Sequence, residues 1–135
     1  MVLLIDANVL LDVLSAREDF VVDSSKIWKL CETAGVSGYV SSLTLANIVY
    51  ILRKELSPEK IESVFQRLSL IFEIAPLGTS VLGKAAKMQW NDFEDAIQSV
   101  TAEEVNADYI VTRNVRDFSK SKIPAFTPTE LLARI

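Results

Sequence analysis

The chain has 135 residues, half of them apolar, with 18 acids against 14 bases and a net charge of −4. That length predicts one domain, residues 1–135, with a real core, and the apolar content excludes a disordered chain. The acidic balance excludes a protein that binds nucleic acid over its whole surface, but not a local basic patch beside an acidic cation site. Histidine is absent and cysteine occurs once, at Cys31. The first removes His-based triads and most zinc or iron sites; the second removes an internal disulfide and cysteine-cluster zinc. Acid–base or metal chemistry then falls to carboxylates, hydroxyls and lysines. No apolar run is long enough for a membrane span, and MVLLI lacks the basic segment of a secretion signal, so a cytoplasmic setting is expected.

In chain order, Val2–Ile5 (VLLI) is the continuous apolar run of a parallel strand covered on both faces, and Asp6 follows it. Ser24–Ala34 sets Ile27, Trp28, Leu30 and Cys31 at helical spacing, with Cys31 read as buried packing. Gly38–Ser42 reads as a second strand and Leu43–Lys54 as a helix capped by Ser42. Ser57 before Pro58 opens a helix that carries Ile61, Val64, Phe65 and Leu68. Ile71–Leu77 is the third strand, and Thr79 or Ser80 opens a shorter helix through Met88. NDFED opens another, with Phe93, Ala96, Ile97 and Val100 as its apolar stripe. Asp108–Thr112 and Pro124–Thr127 are the last strands, and Thr127-Pro128-Thr129-Glu130 has the form of a capping box. Strands alternating with helices predict an α/β protein with a parallel, doubly wound sheet.

In such a sheet the functional crevice lies beyond the carboxyl ends of the strands. Asp6 ends the first strand; Thr112, Asn114 and Asp117 follow the fourth; Asp92, Glu94 and Asp95 crowd the helix just before it. Each acid has an ordinary explanation. Asp6 can cap the next helix, Asp92 and Asp95 complement a helix dipole, and Asp117 suits a turn. At 100° per residue Asp92 and Asp95 lie about 60° apart, on a face continued by Ser99, Ala102 and Asn106. Glu94 points about 100° away from Asp95, toward the helix end or solvent. Two like charges ~5 Å apart repel by about 3 kcal/mol at an effective dielectric of ~20. A cluster of three therefore needs a proton or a cation, and hard oxygen ligands select Mg²⁺ or Mn²⁺.

The segments IDANVLLDVL, SSLTLANIVYILRK, DFEDAIQ and IVTRNVRDF, in that order and spacing, resemble the PIN domain. This is a family of small α/β metal-dependent ribonucleases that includes VapC-type toxins, and the resemblance covers nearly the whole chain. It implies a three-layer α/β/α fold around a parallel five-stranded sheet, and three or four acids around one or two Mg²⁺ or Mn²⁺ ions. Carried over, Asp6, Asp95 and Asp117 are metal ligands, and Asp92 is an additional acid that ligates directly or through water. Thr112 and Asn114 resemble residues that orient water or acid. Asn47 stands where many PIN nucleases have a glutamate; its amide oxygen can bind a metal or its water but brings no charge, and the chain resembles a subgroup with this asparagine.

The implied activity is Mg²⁺- or Mn²⁺-dependent endoribonuclease cleavage, as the toxin of a toxin–antitoxin pair. Its expected partners are a single-stranded or structured cellular RNA, an antitoxin protein and a second copy of the chain, with no membrane. Arg113, Arg116, Arg53 and Lys54 would hold phosphates beside the cut, with Lys120 and Lys122 adding charge; a solvated loop is the alternative. Trp28, Trp90 and Tyr39 can stack on bases, although Trp28 reads better as core and Trp90, beside Asn91, is the best candidate. Two rival functions remain. Asn47 also suits a PIN fold that binds RNA or protein without cutting. An aspartyl-phosphate phosphohydrolase using Asp6 as nucleophile would want an aspartate two residues on, where IDAN has Asn8.

Overall fold

A computed structural model describes residues 1–33 and 35–135. Five strands, β1 (Val2–Ile5), β2 (Ser37–Ser41), β3 (Glu73–Ala75), β4 (Tyr109–Val111) and β5 (Ala125–Phe126), form one sheet in the order β3-β2-β1-β4-β5. Every pairing is parallel, with Leu4 of β1 opposite Tyr39 on one side and Ile110 on the other. The helices are α1 (Ala7–Leu14), α2 (Val21–Glu32), α3 (Ser42–Leu52), α4 (Pro58–Ile71), α5 (Thr79–Met88), α6 (Phe93–Glu104) and α7 (Pro128–Arg134). A 3-10 turn spans Val115–Phe118.

The apolar run of β1 divides between two layers. Leu3 and Ile5 join a core built from α1, α2, α3 and α7, with Ile27, Ile48 and Leu131 fully or almost fully buried. Leu4 points the other way, with Ile110 and Phe118, and α5 and α6 pack together on that side through Val81, Ala85, Ala96, Ile97 and Val100. The result is the expected α/β/α sandwich. The chain moves outward from β1 to β2 and β3, then crosses back to β4 on the other flank. The strand order thus reverses between β1 and β4, and the crevice opens there.

Several local expectations shift by a residue or more. The cap of α3 is Ser41, whose Oγ accepts from the Thr44 amide at 3.0 Å; Ser42 is the first helical residue and its Oγ donates to the Ala75 carbonyl at 2.9 Å. The helix through Trp28 starts at Val21 and runs to Glu32, while Ala34, the predicted end, lies outside the described residues. β3 is shorter than Ile71–Leu77 because α4 continues through Ile71. Ser57 and Thr127 cap α4 and α7 as predicted, with the reciprocal Glu130 bond of the capping box in place. Trp28 is core, packed edge-on against Phe72 at 5.2 Å, and Cys31 is buried with its thiol pushed up to about 12 by desolvation. Among the described residues no helix is long and apolar enough to cross a membrane.

Helix α6 departs furthest from a one-sided pattern. Phe93 is 47 % exposed, whereas Gln98, Ser99 and Thr101 are buried alongside Ala96, Ile97 and Val100. Its middle is sandwiched between the sheet and neighbouring elements, so side chains on both faces leave solvent. Ser99 bonds Ser121 at 2.8 Å on the face that sequence alone assigned to the site.

Candidate functional site

Asp6 sits where β1 ends and α1 begins, and it caps α1 as sequence reading allowed. Its Oδ1 accepts the Ala7 amide at 2.9 Å, capping α1, and the Gln98 amide nitrogen at 3.3 Å. Its Oδ2 accepts the Thr112 hydroxyl at 2.8 Å and Asn8 Nδ2 at 3.3 Å. Four donors, from α1, α6 and Thr112 just past β4, thus hold one carboxylate in a fixed orientation at the switch point. Thr112 is buried beneath it, and its Oγ1 also accepts the Asn114 amide at 3.0 Å. Asn8 ties the two strand ends together, donating to Thr112 Oγ1 at 3.3 Å and accepting the Arg113 amide at 3.1 Å.

Asp95 is the opposite case. It lies half-buried in the first turn of α6, and among the described residues its carboxylate accepts no hydrogen bond. Burial, followed by the charges of Asp92, Asp117, Asp6 and Glu94, raises it from an ordinary 3.8 to about 7. Four other acids therefore converge on this side chain, which carries their repulsion without a compensating donor. Asp92 caps α6, its Oδ1 accepting the Asp95 amide at 3.1 Å. Asp117 lies exposed on the 3-10 turn.

Asp95 lines two adjoining cavities. The smaller, of about 60 Å³, is bounded by Asp6, Thr44, Asn47, Glu94 and Gln98. The larger, of about 240 Å³, is bounded by Trp90, Asp92, Asp117 and Lys120. Asn47 thus reaches the acids as expected. Glu94 is exposed, as its helical angle predicted, but it also lines the smaller cavity, and its Oε2 accepts from Asn47 Nδ2 at 3.5 Å. Helical angle alone could not show this, because it is α3 that brings the amide partner to that side. The acids, hydroxyls and amides around both cavities offer oxygen ligands, a set suited to a hard divalent cation, with the Lys120 ammonium at the edge of the larger one. Among the described residues no three acids close on a single point.

The predicted phosphate-binding residues do not gather there. Arg113 donates from Nε to the buried Asp12 at 3.0 Å and lays its guanidinium 4.0 Å over the Phe20 ring. A cation already paired and stacked is committed to the fold. Arg53 stacks on Tyr50 at 4.0 Å, and with Lys54 it follows the far end of α3, six residues or about 9 Å of helix beyond Asn47. Arg116 is exposed on the 3-10 turn. The Asn114 side chain lines a different cavity, with Phe20 and Thr127, and only its amide serves Thr112.

Sequence reading passed over Gln98, which bonds both Asp6 and Thr44 (2.9 Å) and accepts from Ser41. The signal was available: Gln98 stands three residues after Asp95, and Thr44 three before Asn47, so each shares a helix face with a predicted site residue.

The fold and site define an α/β protein with an acid cluster at a switch point. A sequence model of the PIN domain matches residues 2–116, so the chain belongs to the PIN domain family, whose members are in general nucleases. It is similar to VapBC2 from Rickettsia felis bound to a promoter DNA fragment (TM-score 0.71, 16 % identity, covering 94 % of this chain and 98 % of that one). It is also similar to FitAcB from Neisseria gonorrhoeae (0.72, 21 %, 96 % and 99 %) and to a toxin–antitoxin complex from Klebsiella pneumoniae (0.71, 21 %, 93 % and 96 %). No curated protein matches the chain at a significant level.

Proposed function

We propose that residues 1–135 form one PIN domain that acts as a Mg²⁺- or Mn²⁺-dependent endoribonuclease, the toxin of a toxin–antitoxin pair working in the cytoplasm. The observation that carries this is Asp95, raised to about 7 by burial and by four acids drawn from β1, α6 and the 3-10 turn. A fold gains nothing in stability from such repulsion, and a cation removes it. Family membership supports nuclease chemistry, and the likeness to toxin–antitoxin complexes supports an antitoxin partner. A homodimer is proposed on family grounds alone.

Asp6, Asp95 and Asp117 would hold the ion, with Asp92 beside them and Asn47 offering an amide oxygen, while Gln98, whose oxygen accepts from Ser41, holds Asp6 through its amide nitrogen. Such an ion supplies positive charge that offsets the anionic phosphodiester and acidifies a water molecule at the cut. Asp6 needs no reorganisation to take part, since four donors already fix it. Asp95, raised to about 7, would be ionised when it holds a cation. Glu94 brings the charge that Asn47 lacks, from across the small cavity; this favours an active enzyme over a fold that only binds. Thr112 and Asn8 set the orientation of Asp6.

The test is cleavage of a mixed RNA pool in EDTA, Mg²⁺ or Mn²⁺, by wild type, Asp95→Asn and Glu94→Gln, with folding checked by circular dichroism. Metal-dependent cutting that is lost in folded Asp95→Asn and weakened in Glu94→Gln is expected. Absence of cutting by the wild type under every metal would sink the nuclease reading in favour of a non-cutting module.

A further inference from the structure

Beside the acid cavities, a larger cleft of about 620 Å³ lies between α5, the C-terminal half of α6 and the segment after the 3-10 turn. Four lysines line it, Lys84, Lys87, Lys120 and Lys122, against two glutamates. Lys84 is bonded to Glu104 and Lys122 lies 3.8 Å from Glu103, whereas Lys87 and Lys120 make no ion pair among the described residues. The cleft thus keeps about two uncompensated positive charges in a chain of net −4. Its floor is apolar, formed by Met88, Trp90 and Val100.

Trp90 and Lys120 line both this cleft and the cavity of Asp92, Asp95 and Asp117, so the two are continuous. The Trp90 ring is half-buried and braced edge-on by Phe118, 6.5 Å away at 70°, and Phe118 is itself 3 % exposed. An indole held from below and open to a cationic cleft is a fixed platform for a planar ring beside a phosphate.

We propose that this cleft binds a nucleotide flanking the scissile phosphate of a single-stranded RNA, its base stacked on Trp90 and its phosphates held by Lys87 and Lys120. The proposal rests on the nuclease reading for the position of the cut, but the binding does not depend on cutting. The acids repel a phosphate backbone unless a cation is present, so in its absence the lysine cleft is the part of this surface that attracts RNA. A duplex is disfavoured because stacking on a single indole needs an unpaired base.

The experiment uses a fluorescein-labelled oligouridylate in EDTA, read by anisotropy, with wild type, Lys87→Gln/Lys120→Gln, and Lys29→Gln/Lys60→Gln as a charge-matched control on α2 and α4. Affinity is expected to fall about tenfold in the cleft variant only, and the slope of log K against log salt to flatten by about 1.4. Unlabelled oligouridylate should quench wild-type tryptophan fluorescence, and Trp90→Phe should abolish the quench while buried Trp28 still emits. Equal affinity in cleft and control variants, a quench that persists in Trp90→Phe, equal competition by duplex RNA, or no binding by the wild type would each overturn the proposal. Binding without metal-dependent cutting would keep the cleft and remove the nuclease; cutting with undiminished affinity in the cleft variant would do the reverse.

Discussion

Replacing Asp95 by asparagine should stabilise the metal-free protein. Its carboxylate accepts no hydrogen bond among the described residues, so the amide forfeits no bond there and removes a charge that four neighbours oppose. A folded value of about 7 against an ordinary 3.8 is worth about 4 kcal/mol at ~1.36 kcal/mol per pH unit. Solvent reaches this half-buried group, and screening leaves about 1–2 kcal/mol. The sign follows from proton binding. Between pH ~4 and ~7 the folded state holds the extra proton, so wild-type stability falls as pH rises through that window, and the loss is complete above about 7. Urea denaturation in EDTA from pH 4 to 8 should show this slope in wild type and a flatter one in Asp95→Asn. At pH 8 the variant should melt about 4–8 °C higher. Saturating Mg²⁺ should reverse the order, adding about 2.7 kcal/mol to wild type at a hundredfold excess over Kd and little to the variant. A variant that is less stable in EDTA at pH 8, or whose pH profile parallels wild type, would refute the reasoning.

Three further outcomes follow from packing and backbone. Gly38→Ala should cost about 1–3 kcal/mol in urea melts, because its Cβ would lie 2.6 Å from Cys31 Sγ and 3.0 Å from Phe72 Cδ1; adding Cys31→Ala should recover part of the loss. Asp12→Asn should cost about 3 kcal/mol, since the fully buried carboxylate answers Arg113 at 3.0 Å, Arg17 at 3.6 Å and Ser24 at 2.9 Å, and calorimetry would register a lowered Tm. Gln89→Gly should stabilise by about 0.5–1 kcal/mol, because Gln89 ends α5 at φ 55°, where a side chain is strained; an unchanged urea midpoint would count against that strain.

The sheet and most helices were legible because period and caps are local signals: Ser57-Pro58 and the Thr127 capping box open helices where they should. Asp6, Thr112 and the α6 acids were legible as a group because a switch-point crevice collects strand ends. What failed depended on neighbours. Angular spacing on α6 sent Glu94 to solvent, where it is exposed, but could not show that α3 brings Asn47 beside it; Phe93 was assigned to a stripe whose end leaves the core. Arg113 looked free in sequence and is bound to Asp12, a residue 101 positions earlier. Charge shows in a sequence, but whether a charge is already spent on the fold does not.

Asp6 takes two of its four donors from residues 92 and 106 positions away, and the last acid of the cluster is Asp117. Such contacts form late and together. A chain still being synthesised holds Asp6 long before Thr112, 106 positions later, or Asp117 exists for it to meet. The order of the strands thereby sets an order of assembly: the cluster cannot close until β4 and the 3-10 turn have joined β1.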